Sequence, residues 1–474
     1  MGLMRRTLPG ARAATAAPRA LPLPQRGRGG HGSQVPGAAG RNAGRDAGRD
    51  DKPGAHAVAR RGSAVTRPEV ILRREHHQPD WSILIAVVAL SAIGILMVYS
   101  SSAMRAYIQQ DDTLAIVGPQ ILWAALGVMA MLVIMRIDYR YLRLVSLPAY
   151  AVAIVVLVLV FVPGLGRVVG GSARWLVIGP LPAIHPAEIA KLALIVYLAH
   201  WMASRGTRIG SLRAGTFPFL LITVPVVALV FREPDLGTTT VIAATAFTMF
   251  FVAGARLWQF AAMGLMGVLG VAVIGLREYQ LQRIRTFLDP WQDPLHTGFH
   301  TIQGLLALGL GGIFGSGLGE SKLAGGLYLP NAWNDFIFAI IGEEFGFVGA
   351  SLVVGLFLLL AYAGIRTALR APDTFGALLA LGITAWLCFQ AFINVGVVVA
   401  LLPVTGITLP FISAGGTSLI ISFAAAGILL SISRETVEKN QETDAPADRG
   451  RGNGRPHLPG SRRRGLPPTP AEPA

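Results

Sequence analysis

Two aspartates four residues apart, Asp289 and Asp293, are each followed by proline in the run Phe287-Leu-Asp-Pro-Trp-Gln-Asp-Pro-Leu295. Proline drives the residue before it out of the α region, so each carboxylate stands on an extended or turn backbone. Held rigidly near Arg277, Arg283 and Arg285, such a carboxylate can take a proton from a substrate hydroxyl. The plainer alternative is a pair of Asp-Pro turns capping a re-entrant helix near Thr297–Leu310. Elsewhere Glu188 and Lys191 lie three apart, on one helix face, where they can pair. Asp335 opens an apolar segment that carries Glu343 and Glu344 two turns further in. Ionisable groups inside such segments face a cavity or a partner. The run Gly309-Leu-Gly-Gly-Ile-Phe-Gly-Ser-Gly-Leu-Gly319 has no preceding strand and no Lys-Ser/Thr in the phosphate-binding register, so it is no nucleotide loop. Close backbone packing accounts for it better than the alternative, backbone amides exposed to an anionic ligand.

The elements that must hold these groups are legible from composition. The chain has 474 residues, of which 53% are hydrophobic and 14% charged, with a mean hydropathy of +0.54. Soluble proteins carry about 25% charged residues, and a soluble enzyme is excluded. Ten apolar segments near the roughly 20 residues of a spanning helix are expected at 81–99, 115–135, 144–162, 187–203, 217–231, 238–254, 259–276, 335–364, 375–400 and 417–432. A β-barrel is excluded, because its strands would be about 10 residues of alternating polarity. The fold expected is therefore an all-α polytopic membrane protein with ten transmembrane helices and one large loop, 277–334, between spans seven and eight. A loop of that length is usually functional or folded in its own right.

Formal net charge is +15, and the tails supply most of it: residues 1–80 carry 15 basic and 6 acidic side chains, and residues 432–474 carry 8 and 6. Both tails, 1–80 and 433–474, have the Gly-, Ala-, Arg- and Pro-rich composition of disordered segments around the membrane domain 81–432. Their arginines lack aromatic interleaving, so nucleic acid is not the expected partner. Arginines at 136, 140, 143, 205, 208, 213, 366 and 370 follow alternate spans on the side of the tails. The positive-inside rule then puts both termini in the cytoplasm and segments 163–186, 232–237, 277–334 and 402–416 outside. The single cysteine, Cys388, excludes disulfides and cysteine metal clusters.

Five motifs carry a family resemblance. Gly171-Ser-Ala-Arg-Trp175 with His185-Pro-Ala-Glu188-Ile-Ala-Lys191 resembles the GAxRW…QPSExxK signature of the SEDS family of bacterial wall synthesis (the FtsW and RodA types). Glu233-Pro-Asp-Leu-Gly-Thr238 is similar to its QPDLGT, and Asp289-Pro-Trp-Gln-Asp-Pro-Leu295 to its DPWxDPxGxGY. Leu329-Pro-Asn-Ala-Trp-Asn-Asp-Phe-Ile-Phe338 with Glu343-Glu344 resembles LPEAHTDFIF…EE, and Leu402–Ser418 resembles LLPVTGIPLPFISYGGSS. The Asp-Pro-Trp tripeptide and Gly317-Leu-Gly-Glu-Ser321 lean towards the FtsW type. Departures stand at His185 and Glu233 (each for Gln), His296, Phe299, Trp333-Asn334, Gly325-Gly326 and Ala414.

The resemblance implies a peptidoglycan glycosyltransferase that polymerises lipid II at the outer face of the bacterial cytoplasmic membrane, with undecaprenyl diphosphate leaving. It implies Asp293 as general base, and Arg174, Lys191, Arg283 and Arg285 as cations for the diphosphate. Glu188, Gln303, Asp335, Ser413, Gly415 and Gly416 complete the implied substrate contacts. No protein metal site is expected; a divalent ion, Mg2+ or Mn2+, accompanying the diphosphate is a further candidate. Implied partners are lipid II, a single-span class B penicillin-binding transpeptidase and other divisome proteins at the septum. A non-catalytic division scaffold and a lipid II flippase are the rival readings. A flippase would be expected to show inverted repeats or paired broken spans, of which the sequence has no obvious pair.

Overall fold

The structure, a computed structural model, describes residues 78–435 except 170–171, 178, 180–181, 275–277 and 331. The tail readings for 1–80 and 433–474 therefore fall almost wholly outside the described residues. The elements are α1 (Trp81–Gln110), α2 (Val117–Ile134), α3 (Leu142–Leu159), a hairpin of β1 (Gly166–Val169) and β2 (Ser172–Leu176), α4 (Pro186–Arg205), α5 (Phe217–Arg232), α6 (Leu236–Val252) and α7 (Leu257–Ile274). After these come α8 (Glu278–Leu288), α9 (Phe299–Gly311), α10 (Lys322–Gly325), α11 (Ile337–Arg370), α12 (Thr374–Val398) and α13 (Gly416–Ser433). Among the described residues eight helical segments are long and apolar enough to cross a membrane, and α6 is a shorter apolar helix of 17 residues. The chain is an all-helical polytopic membrane protein.

Bundle packing follows the apolar surface. α13 lies on α2, α11 on α12, α3 on α4 and α1 on α11, while α12 also packs on α6 and α4. α4, α12 and α13 are the most enclosed, whereas α2 and α3 turn residues such as Leu122, Val133, Leu144 and Val152 outward. An apolar side chain facing outward costs nothing when the surroundings are lipid. The amide of Asp80 donates to Ser433 Oγ at 3.1 Å, so α1 begins beside the end of α13. At that end Arg140 pairs with Asp138, Asp373 and Glu435, tying three connections together.

Two spans differ from expectation. α1 runs 30 residues and continues past Tyr99 to Gln110. Within the extension Ser101 and Ser102 donate back to the carbonyls of Met97 and Val98 at 2.7 and 2.6 Å, so their hydroxyls are satisfied inside the helix. Span eight is not one helix over 335–364. α11 is broken at Gly346 (φ 65°, ψ −162°), and Asp335 precedes it. The glycine-rich segment after α9 wraps this break. A Cβ on Gly346 would lie 2.4 Å from the Gly315 amide nitrogen, and one on Gly311 would lie 1.9 Å from the Gly342 carbonyl oxygen. The interrupted backbone finds partners there: the amides of Ser316 and Gly317 donate to Glu343 and Glu344, and that of Phe347 to Gly312. Non-helical backbone at membrane depth needs such protein partners.

The large loop is folded. It holds α8, α9, the short α10 and a single turn at Pro290–Gln292. The antiparallel β1–β2 hairpin, pairing Arg167 with Trp175, is the one element the all-helical reading lacked. Its strands are too short and too polar at their ends to register against the long apolar runs on either side.

Candidate active site

A cavity of about 510 Å³ opens where four connections meet at one end of the bundle. That size suits a small ligand or part of a larger one. Arg174 reaches it from β2 and Pro234 from the α5–α6 turn. Gln282, Arg283, Thr286 and Phe287 come from one face of α8, and Leu402, Pro403 and Val404 from the segment before α13. His296, Thr297, His300 and Thr301, at and before the start of α9, complete the wall.

The two arginines are aimed by backbone carbonyls. Arg174 donates from Nε to the Glu233 carbonyl at 3.1 Å and from Nη2 to the Pro234 carbonyl at 2.6 Å. Arg283 donates from Nη1 to the Val404 carbonyl at 3.0 Å. A carbonyl fixes a guanidinium without cancelling its charge. Asp335, just ahead of α11, lies within the field of Arg283, and burial pushes its carboxyl up to about 6.

Asp293 sits at the rim. One carboxylate oxygen lies 3.0 Å from His296 Nδ1, and the other accepts from the amide and hydroxyl of Thr297, each at 3.2 Å. Both neighbours line the cavity. The amide bond from Thr297 first, then His296, holds the Asp293 carboxyl below the usual carboxylate range, so it is ionised at neutral pH. Asp289 caps the single turn by accepting from the Trp291 amide at 3.1 Å. The Asp-Pro pairs thus form capping turns, and Asp293 is tied through His296 and Thr297 to the cavity wall.

Several residues implied as substrate contacts stand away from the cavity. Arg285 lies on the exposed face of α8, 3.7 Å from the equally exposed Glu278, because an i+2 neighbour of Arg283 points the other way round a helix. Lys191 is buried between α4 and α12; its Nζ lies 2.8 Å from both Glu188 oxygens and 2.7 Å from Gln390 Oε1, with the Trp386 ring at 5.1 Å. Ser413 is a bolt, accepting from the Leu409 amide and donating to the Asn334 carbonyl at 2.6 Å. The Gly415 amide donates to Gln120 Oε1, and a Cβ on Gly416 would strike Trp123 at 2.7 Å. Gln303 lies on α9, its Oε1 buried without a partner among the described residues. None of these groups is among the residues that line the cavity. Gln390 and Asn394 do the joining: Gln390 Nε2 donates to the Thr408 carbonyl at 3.0 Å, and Asn394 Nδ2 to the carbonyls of Asp335 and Ile407.

Sequence reasoning missed Gln282, Thr286, His300, Thr301 and the Leu402–Val404 lining. The available signal was the amphipathic face of α8, where positions 282, 283, 286 and 287 fall together. Among the departures, Trp333 lies under Arg105 at 5.2 Å, and His185 meets Trp175 edge-on at 5.1 Å. Among the described residues no three His, Cys, Asp or Glu side chains converge as a metal site.

The family model for FtsW, RodA and SpoVE, described as cell cycle protein, matches residues 80–438. Stage V sporulation protein E of Bacillus subtilis is 44% identical over 357 residues, 75% of this chain and 97% of that protein. The probable peptidoglycan glycosyltransferase FtsW of Geobacter sp. is 41% identical over 75% of this chain and 96% of its own length. Among solved structures, a peptidoglycan synthase complex described for coordination of polymerization and crosslinking aligns with a TM-score of 0.61 at 30% identity, covering 75% of this chain and 98% of that one. RodA of Thermus thermophilus aligns with a TM-score of 0.55 at 28% identity, covering 76% and 97%. With its spans, its motifs and its fold all in agreement, the chain belongs to the SEDS family of FtsW, RodA and SpoVE.

Proposed function

We propose that this protein is a peptidoglycan glycosyltransferase that polymerises lipid II during cell division, with Asp293 as general base. The observation that carries the reading is a carboxylate kept ionised at the rim of a cavity walled by Arg174 and Arg283. In the reaction the acceptor's sugar 4-hydroxyl attacks the donor's anomeric carbon. The bond from that carbon to the diphosphate breaks, and the hydroxyl proton passes to Asp293. Charge developing on the departing undecaprenyl diphosphate is met by the two guanidiniums, which backbone carbonyls aim at the cavity. Aligned relatives named as probable peptidoglycan glycosyltransferases support the same chemistry.

In this reading the cavity faces the outer side of the cytoplasmic membrane and both termini lie inside, in keeping with the arginines between alternate spans. A class B transpeptidase is the partner, a pairing consistent with the aligned synthase complex. Purified protein incubated with lipid II, with and without that transpeptidase, tests the proposal. Glycan polymer that disappears in Asp293→Asn supports it. No polymer from the wild-type pair would leave a non-catalytic scaffold.

A further inference from the structure

Behind Arg174 sits a carboxyl group that the chemistry above does not use. Glu233, the last-turn residue after α5, is 1% exposed, and neither of its side-chain oxygens has a hydrogen-bond partner among the described residues. Its own carbonyl accepts from Arg174 Nε, and the next residue, Pro234, lines the cavity. Two residues on, Asp235 is 5% exposed and already engaged, accepting from the amide and hydroxyl of Thr238 at 3.0 and 2.9 Å. A buried carboxylate with no donor is costly, and a second one beside it more so.

We propose that Glu233 is a positioning residue that stands as a neutral acid, so that Arg174 keeps its full charge for a diphosphate in the cavity. The proposal rests on the polymerase reading for its ligand. Glu233 occupies a position where the family pattern has glutamine, and a protonated carboxyl is the titratable group closest to an amide in shape and charge. The other such position behaves alike: His185 Nδ1 is buried without a partner, and burial lowers the affinity of that imidazole for a proton.

The groups facing Glu233 are Arg174 from β2 and Asp235 at the start of α6. His185, just ahead of α4, faces the same two, with Glu188 and Lys191 of α4 also acting on it. Arg232, next in the chain, lies instead over Phe161 at 5.7 Å. Burial first and Asp235 second push the Glu233 carboxyl up to about 8, against a smaller opposing pull from Arg174. Above that pH an ionised Glu233 would offset the Arg174 charge next to the ligand.

The test uses the full chain in detergent with farnesyl diphosphate as probe, between pH 7 and pH 9. Wild-type affinity should fall about tenfold by pH 9, as the competent fraction falls, while Glu233→Gln stays flat across the range. Infrared difference spectra, wild type minus Glu233→Gln, should show a protonated-carboxyl band at pH 7 that is lost at pH 9. Absence of that band at pH 7, or parallel binding profiles for the two proteins, overturns the proposal. If Glu233→Gln does not accumulate, wild-type binding that stays flat to pH 9 overturns it. Wild type that shows the band yet binds no diphosphate at pH 7 would sink both the coupling to Arg174 and the polymerase cavity, leaving the neutral acid alone standing.

Discussion

Lys191→Met removes the cation from the centre of the bundle while keeping most of the side chain's volume. Lys191 and Glu188 are 2% and 5% exposed, and the ammonium bridges Glu188 and Gln390 at 2.8 and 2.7 Å. Its loss leaves Glu188 buried without a counter-ion, which typically costs about 3–5 kcal/mol, against less than about 1 kcal/mol for a solvated pair. At about 2 °C per kcal/mol for a chain of this size, the melting midpoint in detergent should fall on the order of 10 °C. Glu188→Gln combined with Lys191→Met should recover at least half of that loss, because no uncompensated charge remains. Gln390 also accepts from Trp386 and donates to the Thr408 carbonyl, so the single variant should also loosen the segment that supplies Leu402–Val404 to the cavity. The assay is thermal unfolding of both single variants and the double variant, closed as a double-mutant cycle. Single variants that melt at the wild-type temperature would refute the reasoning, since the pair would then have to be solvated.

Other consequences are more local. Asp293→Asn should cut lipid II polymerisation by about 10²–10⁴-fold, the usual worth of a general base, with the melting temperature preserved; near-normal polymer would return attention to Asp289. Gly346→Ala should destabilise by about 1–3 kcal/mol from its positive φ alone, with the clash against Gly315 added, and detergent melting measures it. Asp335 titrates near 6 in the folded protein against a lower unfolded value. The folded state therefore binds the extra proton between about pH 4 and pH 6, and stability should fall as pH rises through that window. Asp335→Asn should flatten that slope, and an unchanged pH profile of melting temperature would count against the assignment.

Much of this protein is written in one-dimensional patterns. Apolar runs long enough to cross a bilayer mark spans because no other solvent tolerates them, and their places are recovered to within a few residues for most helices. The i, i+3 spacing was enough to pair Glu188 with Lys191, since a helix brings those positions together whatever surrounds it. The Asp-Pro pairs declared their turns for the same reason, through a steric rule between neighbours. Tertiary structure decided the rest. Whether α11 is one helix or two depends on Gly311 and Gly315 arriving against Gly342 and Gly346, a contact between residues some thirty apart. Which arginines matter depends on partners equally remote: Arg174 is aimed by carbonyls 59 and 60 residues away and Arg283 by one 121 away, whereas Arg285, two residues along, points into solvent. Glu233 and Lys191 look alike in sequence, each a charge at the edge of an apolar run. Only packing tells them apart, because it brings the Lys191 ammonium three oxygens from Glu188 and Gln390 and, among the described residues, brings the Glu233 carboxyl no hydrogen-bond donor.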